Sequence, residues 1–559
     1  MSAVLGIHGG VTSNQHEASA CLIVDGRVVA LCEEERYTRI KGSYGVLPAR
    51  AVRECLRIGG ITINDVDLVV TPGCTYDFFN ERISDWLQHH FGHAPRVESV
   101  HHQMAHCAAA FYGSGYDDAT VVSLDASGDA AAGFICHGTK DGLKLVKRVP
   151  TANSLGYFYT LMTHYLGFED GDEYKVMGLA PYGARGRELD LAAILELRPG
   201  GWLFHNDFLR SDPSPKSPFE PMYDREKMRL VIGRPNRVPS DPLDAFWKDV
   251  AWAVQDRFEA AYLNFMEGVK SETGSANIAI AGGCSLNCAA NRKLVYQGEF
   301  RNAYISPVAS DRGLALGCAY LGAVSCGDKP GPLKLPYLGT EYTNDQIRSE
   351  LEANGISYSI VFNPHEAAAR LLDEGRIIGW FQGRSEAGAR ALGNRSILAQ
   401  AHDKKHRDAV NARIKYRESF RPFAPAIALE AAETYFRTDG REYPTMSATV
   451  DVLKPWQAQA VTHVDGTARL QTVTEKDNPL FHALLTSYGQ YSGAPMVLNT
   501  SFNLKGQPIV ETPRDALMTF FGCGLDDLII GDFHVSKRGE VELKAEELAR
   551  EFLAEDVAA

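Results

Sequence analysis

Two histidines four residues apart, His102 and His106 in His101-His102-Gln103-Met104-Ala105-His106, are the sharpest metal-binding signal in the chain. On a helix, positions i and i+4 share a face, so both imidazoles could reach one ion. Such a pair is common on ordinary helix surfaces, and acids from elsewhere must complete the shell. The candidates are Asp125, which ends an apolar run at Asp125-Ala126-Ser127-Gly128-Asp129, and Asp311 in Ser310-Asp311-Arg312-Gly313. Two imidazoles and two carboxylates make a mixed shell that suits iron, manganese or zinc better than calcium. No spacing in the sequence brings these four together; a fold has to do so.

The second concentration of chemistry is positive charge. Between Arg384 and Arg421 ten Lys and Arg stand against four Asp and Glu, whereas the whole chain carries −13. These cations are interleaved with glycine, proline and aromatic residues in Gly388 to Ser396 and in Lys415 to Phe423. That framing suggests a compact pocket for a small multiply charged anion, not an open nucleic-acid face. Arg390, Lys415, Arg417 and Arg421 are the candidate cations. Asn499 and Ser501, in Leu498-Asn499-Thr500-Ser501-Phe502-Asn503, would add amide and hydroxyl donors. A solvated charged face is the competing reading.

Weaker signals surround these two. Ala281-Gly282-Gly283-Cys284-Ser285-Leu286-Asn287 follows a strand and reads as the opening of a helix, where backbone N–H groups favour a nucleotide. It matches neither the P-loop nor the dinucleotide pattern. Lys175-Val176-Met177-Gly178 reads as a second loop with a cation beside a glycine; a tight turn is the alternative for both. His16 lies just before the first hairpin and titrates near neutrality, which suits a proton carrier, although a hydrogen-bonded structural histidine competes. Glu33-Glu34-Glu35-Arg36 reads as a solvated or ion-paired strand end. Phe168-Glu169-Asp170-Gly171-Asp172-Glu173 carries four carboxylates, either as a solvated acidic loop or as a site for a cationic acceptor.

The elements that must position these residues alternate between strand and helix. Val4 to Ile7 is a short apolar run, and Ala18 to Val24 and Arg27 to Cys32 flank the hairpin signal Asp25-Gly26. The same order returns near residue 120: an apolar run to Asp125, then Ala132 to His137 and Leu143 to Val149 around Asp141-Gly142. An internal duplication is expected. Leu243 to Thr273 has helical periodicity, Ala276 to Ala281 reads as a strand, and Cys326 to Pro332 reads as an interdomain linker. The remainder alternates helices such as Asn363 to Glu374 with short strands at Ile377 to Phe381, Ser447 to Val452, Pro495 to Leu498 and Leu528 to Ile530. The expected division is therefore 1–326, a linker at 327–340, and 341–559.

A length of 559 residues exceeds one hydrophobic core, and 45% hydrophobic with 23% charged residues is the balance of a folded chain. The acidic balance repels nucleic acid and anionic membranes. No apolar run is long enough to span a bilayer, and the first residues lack the basic start of a signal peptide. Eleven cysteines without a zinc or CxxC pattern fit a reducing compartment, so a cytoplasmic protein is expected.

At these residues the sequence resembles the O-carbamoyltransferase family of antibiotic and nodulation-factor biosynthesis, of the tobramycin-carbamoylating type. The matching segments are the His16 region, Glu33 to Arg39, His102 and His106, Lys175 to Gly183, Gly282-Gly283, Ser310-Asp311, Arg390 to Ser396, Lys415 to Pro425 and Asn499 to Asn503. The resemblance implies an α/β fold: an N-terminal duplicated domain of the actin and sugar-kinase type, followed by a C-terminal domain of the threonylcarbamoyl-adenylate synthase type. It implies that ATP and carbamoyl phosphate give carbamoyl-adenylate in the second domain. The carbamoyl group then passes to a hydroxyl of a small-molecule natural product in the first. It further implies a carbamoyl-phosphate and ATP site of Arg390, Lys415, Arg417, Arg421, Asn499 and Ser501, with Lys415 and Arg421 catalytic. His16 is implied to assist transfer. An adenylate site in the first domain would use Lys175, Gly178, Gly282, Gly283 and Asn287. The implied cofactors are iron(II) or another divalent transition metal on His102, His106, Asp125 and Asp311, and magnesium with ATP. Gly6-Ile7-His8-Gly9-Gly10 lacks the acid that sugar kinases place in that loop. This argues against simple ATP hydrolysis in the first domain and leaves His8 a candidate acceptor-side base. A nucleotide-binding regulatory protein and a tRNA-directed carbamoyl or acyl transferase are the alternatives, the latter opposed by the net charge. Neither the acceptor nor the oligomeric state is legible; a homodimer is one option.

Overall fold

A computed structural model describes residues 2–10, 15–184, 189–209 and 223–537. The protein is mixed α/β. The described residues of Met1–His8, Cys21–Val28 and Thr62–Lys334 form one compact unit. Those of Gly9–Ala20, Val29–Ile61 and Leu335–Ala559 form another. Among the described residues no helix is long and apolar enough to cross a membrane, and all eleven cysteines are free thiols.

The chain opens with β1 (Ala3–His8), β2 (Ser19–Val24) and β3 (Arg27–Glu33), followed by α1 (Glu34–Thr38) and α2 (Ala49–Gly59). Next come β4 (Leu68–Pro72), α3 (Phe79–Phe91), β5 (Arg96–Val100) and α4 (His102–Ser114). Asp25 and Gly26 both take positive φ, at 48° and 75°, so the β2–β3 turn has the twist that two-residue hairpins require. The sheet order is β3-β2-β1-β4-β5, with β4 parallel to both β1 and β5.

The order then repeats. It begins with β6 (Ala119–Gly128), β7 (Ala131–Thr139) and β8 (Gly142–Pro150), followed by a longer excursion. That excursion holds α5 (Leu155–Tyr165), α6 (Glu173–Leu179), the ribbon β9 (Leu195–Arg198) and β10 (Gly201–Phe204), α7 (Arg225–Ile232) and α8 (Ala245–Thr273). The repeat closes with β11 (Asn277–Ala281), α9 (Cys288–Gln297), β12 (Asn302–Ile305) and α10 (Leu314–Ser325). Its sheet order is β8-β7-β6-β11-β12, with β11 parallel to β6 and β12. Strand for strand this is the order of the first sheet, so the duplication expected from the sequence is present in the topology.

Helix α4 joins two cores. Its Ala105 packs with Val4, Leu68, Val70, Leu314 and Cys318, while Cys107, Ala110 and Phe111 pack with Val121, Phe134 and Ala279. A Cβ on Gly317 would lie 1.8 Å from the Ala105 carbonyl oxygen, so α4 and α10 meet backbone to backbone only because that residue is glycine.

The second unit contains α11 (Asn344–Ala353), β13 (Ser359–Ile360), α12 (Pro364–Asp373), β14 (Ile378–Phe381), β15 (Arg395–Gln400) and α13 (Lys404–Val410). It continues with β16 (Ala424–Ala428), α14 (Ala432–Tyr435), β17 (Thr449–Asp451), β18 (Thr467–Arg469) and β19 (Gln471–Val473). It ends with α15 (Pro479–Ser492), β20 (Met496–Ser501), α16 (Pro513–Phe521), β21 (Asp527–Ile530) and β22 (Phe533–Ser536). Eight strands form one sheet, β13-β22-β21-β14-β15-β20-β16-β19. Alternate residues serve opposite faces: Trp380, Leu398 and Ile529 join the core under α12 and α15. Phe381, Ile397 and Ile530 join the core with α11, α13 and α16.

Candidate active sites

In the first unit the repeat itself positions the ligands. His102 opens α4 directly after β5, and Asp311 precedes α10 directly after β12, the corresponding place in the second copy. Asp125 lies near the end of β6, where the pairing with β7 shifts register between Leu124 and Gly128. The corresponding strand of the first copy, β1, ends at His8.

The four residues close into a ring of alternating nitrogen and oxygen donors. His102 Nε2 lies 3.3 Å from Asp125 Oδ2 and 3.5 Å from Asp311 Oδ1. His106 Nε2 lies 3.3 and 3.4 Å from the same two oxygens. All four donor atoms fall within 4.8 Å of one another. Metal–ligand bonds of ~2.1 Å at tetrahedral angles give edges of about 3.4 Å, which the four nitrogen–oxygen distances match. His106 is fully buried, and neither of its ring nitrogens has a hydrogen-bond partner. Burial pulls the His106 imidazole down, but Asp125 and Asp311 override it and hold it at about 9. Burial raises Asp125 in turn, yet His102 and His106 keep it well below the carboxylate range. Two acids aimed at one point between two imidazoles fit a divalent cation. His8 Nε2 is 3.9 Å from the other oxygen of Asp311.

Asp129, Gly128 and Gly283 shape the ring from outside it. Asp129, at φ 49°, accepts from the His102 and Gly73 N–H groups at 2.8 and 3.2 Å and from Thr75 Oγ1 at 2.6 Å, so a carboxylate caps the start of α4. A Cβ on Gly128 would lie 2.3 Å from the His102 ring, and one on Gly283 would lie 2.9 Å from Asp125 Oδ1.

Gly282-Gly283 joins β11 to a short 3-10 turn and then α9, as expected for a strand-to-helix loop. Asn287 caps α9 through Ala290 N–H at 3.0 Å and exchanges two amide hydrogen bonds with Gln255, at 2.9 and 3.1 Å. Lys175 and Gly178 differ from expectation. They lie inside α6 and not in a loop, and Lys175 Nζ is paired with Asp172 at 2.7 Å. The acidic segment before it is likewise engaged: Asp170 bonds His164 at 2.7 Å, and Glu173 accepts from Thr160 at 2.9 Å. His16 belongs to the other unit, with its ring 5.6 Å from that of Tyr44.

In the second unit three segments meet at one end of the sheet. The register Ser396↔Ser501 sets the loop before β15 beside the end of β20, and Ala424↔Asn499 sets the segment before β16 on the other side. Lys415 ends a π-helical turn, Asn411–Lys415, and is buried. Its Nζ donates to the Ser501 carbonyl, Ser501 Oγ at 3.2 Å, the Asn503 carbonyl at 2.9 Å and Asn503 Oδ1 at 2.8 Å. All four acceptors are neutral. Burial first, then the charges of Arg417 and Arg421, hold the ammonium well below the usual lysine range. A buried cation with no carboxylate among its hydrogen-bond acceptors and with arginines alongside makes this a candidate site for an anion.

The neighbours of the cage are ordered. Arg417 lies 3.9 Å over the Phe423 ring and donates to Asn411 Oδ1 at 3.0 Å, and Arg421 lies 3.5 Å from Glu418. Asn499 is buried and donates to Gln471 Oε1 at 2.8 Å. Arg390 is partly buried in the loop before β15. Asn503 closes the cage; it lies in the Leu498 to Asn503 segment that the sequence marks, where only Asn499 and Ser501 are read as site residues. Glu33 to Arg36 are all buried, which corrects the solvated half of that expectation; Glu33 and Arg36 are ion-paired at 3.3 Å.

Family models give the class of protein. Residues 75–320 match the carbamoyltransferase N-terminus and residues 369–537 the carbamoyltransferase C-terminus. The chain belongs to the carbamoyltransferase family and is an enzyme of that kind. It is 34% identical over 557 residues to nodulation protein NolNO of Sinorhizobium fredii, covering 94% of this chain and 79% of that one. It is 34% identical over 275 residues to 3'-hydroxymethylcephem-O-carbamoyltransferase of Streptomyces clavuligerus, covering 49% and 51%. Among solved structures, full-length HypF in its phosphate- and nucleotide-bound form covers 59% of this chain and 56% of that one at 15% identity. The TM-score of 0.32 is too low to equate the folds.

Proposed function

We propose that this carbamoyltransferase acts in two ATP-dependent steps on one chain, with residues 341–559 forming carbamoyl-adenylate, residues 1–326 transferring its carbamoyl group, and 327–340 linking them. The first part would be of the actin and sugar-kinase type, for which the repeated sheet order is the support, and the second of the threonylcarbamoyl-adenylate synthase type. The observation that carries the reading is Lys415, a buried cation among neutral acceptors with Arg417 and Arg421 alongside.

In the first step, water releases phosphate from carbamoyl phosphate, and the carbamate oxygen attacks the α-phosphorus of magnesium-bound ATP, expelling pyrophosphate. Lys415, Arg421 and Arg390 neutralise the phosphoryl oxygens, Arg417 and Asn499 border them, and Ser501 contributes its hydroxyl. In the second step an acceptor hydroxyl attacks the carbamoyl carbon and AMP leaves. His16 takes the hydroxyl proton, while Gly282, Gly283 and Asn287, with Lys175 and Gly178 of α6, border the adenylate. His102, His106, Asp125 and Asp311 would hold a divalent transition metal, iron(II) in the first instance, which supplies Lewis-acid polarisation of the leaving phosphate.

The name of the Streptomyces relative supports a hydroxyl on a small natural product as acceptor. The net charge of −13 opposes a tRNA acceptor. A soluble cytoplasmic enzyme is the matching location.

The test is pyrophosphate release from ATP with and without carbamoyl phosphate, no acceptor present. Release that requires carbamoyl phosphate, and that Lys415→Ala lowers by roughly 10³-fold or more, is the expected result. Equal release by wild type and Lys415→Ala at saturating substrates would remove the assignment. ATP binding without any release would favour a regulatory nucleotide-binding role.

A further inference from the structure

Neither site uses Glu33-Glu34-Glu35-Arg36, although all four side chains are buried. Two of the acids hold their own neighbourhood. Glu34 accepts from the Arg50 and Ala51 N–H groups at 3.2 and 2.7 Å, capping α2, and Glu35 accepts from Gly42 N–H at 2.6 Å.

Glu33 and Arg36 reach much further along the chain. Glu33 Oε2 pairs with Arg36 Nε at 3.3 Å, Glu33 Oε1 accepts from the Gly388 N–H, and Arg36 Nη2 donates to the Gly388 carbonyl at 3.0 Å. One buried ion pair therefore grips both backbone polar groups of a single residue. That residue sits at φ 100°, a conformation open to glycine. The far side of the loop is fixed separately. Glu386 Oε1 accepts from the Leu392, Asn394 and Arg395 N–H groups at 2.6, 3.4 and 3.3 Å. Between these two anchors Ala389 and Arg390 are partly exposed, and Ala391 is buried again.

We propose that Glu33 and Arg36 are positioning residues for carbamoyl-phosphate binding: by fixing Gly388 they set where the Arg390 guanidinium meets the phosphate. The inference rests on the reading of Arg390 as a phosphate ligand. Charge-assisted bonds to the N–H and to the C=O of one residue fix the two peptide planes that meet at its Cα, and an arginine two residues away inherits that placement. A planar fork recognises phosphate only when correctly aimed, so a loop that wanders loses affinity before it loses chemistry. Lysine at position 36 could keep the pairing with Glu33 or the bond to Gly388, but not the two together.

The experiment is steady-state pyrophosphate release by wild type, Arg36→Lys, Glu33→Gln, Arg390→Ala and the Arg36→Lys/Arg390→Ala double variant. Arg36→Lys is expected to raise the KM for carbamoyl phosphate about tenfold, with kcat and the KM for ATP within about twofold, and Glu33→Gln to do the same more weakly. In the double variant the KM should equal that of Arg390→Ala alone, because the clamp acts through that arginine. A full extra factor in the double variant, or an unchanged KM in Arg36→Lys, overturns the proposal. An unchanged KM in Arg390→Ala overturns the phosphate assignment on which it rests. If Arg36→Lys does not fold, Gly388→Ala, which strains the same peptide, carries the identical expectation and the identical refutation.

Discussion

The ring around His106 and the cage around Lys415 are buried charge arrangements of opposite kind. In the ring, two carboxylates converge on two imidazoles, and neither nitrogen of the buried His106 has a hydrogen-bond partner, an arrangement that fits a cation. In the cage, an ammonium meets only neutral oxygens, an arrangement that fits an anion. The two also differ in assembly. The ring collects residues from α4, β6 and the turn before α10, elements of both copies of the repeat. The cage is drawn from the π-helical turn Asn411–Lys415 and from the end of one strand, β20, in a single unit. How each site is assembled determines which substitutions reach it.

Removing a ring nitrogen gives the largest expected separation of the two regions. His106→Ala should lower bound transition metal from about one ion per chain to under a tenth, and carbamoyl transfer should fall with it. Pyrophosphate release should stay within about twofold of wild type. Elemental analysis with both assays checks this, and a parallel loss of pyrophosphate release would break the proposed independence of the sites.

Gly128→Ala sharpens the comparison without deleting a donor. The new methyl would overlap the His102 ring, which must turn away. Metal affinity should fall roughly 10- to 100-fold, the range for disturbing a ligand's support. The visible spectrum of cobalt(II) titrated into the apo protein should change in position as well as strength. A wild-type spectrum and affinity would show that the ring tolerates the displacement.

The smallest expected effect is in pH dependence. Burial, then Arg417 and Arg421, lowers the Lys415 ammonium well below the usual lysine value, and anion binding needs its charged form. The kcat/KM for carbamoyl phosphate should therefore fall as pH rises through that lowered value. Between the folded and unfolded values the unfolded chain binds more protons, so stability rises with pH while this activity falls. A profile flat up to the ordinary lysine range would contradict the burial argument.

The residues that could be read from sequence are those whose chemistry and local geometry coincide. His102 and His106 share a helix face, Asp125 follows an apolar strand, and the two hairpins announced the repeat. The misread segments depended on distant neighbours. Gly178 signals a loop by type, but α6 forms around it; a glycine costs a helix interior only about 1 kcal/mol, and Lys175 pairs with Asp172 one turn back. The acids from Glu33 to Glu35 look solvated until Gly388, Ala51 and Gly42 supply their bonds. Asp129 and Gly128 adjoin a residue that sequence did mark, yet their roles are set by the ring of His102 lying against them.

The repeat also has a consequence for the order of folding. The ring takes its imidazoles from the end of the first copy and its carboxylates from the beginning and end of the second. A growing chain that has formed only the first sheet offers an ion two nitrogens and no compensating charge. An ion held by all four residues would therefore stabilise the finished pair of sheets while giving little to any partly folded form.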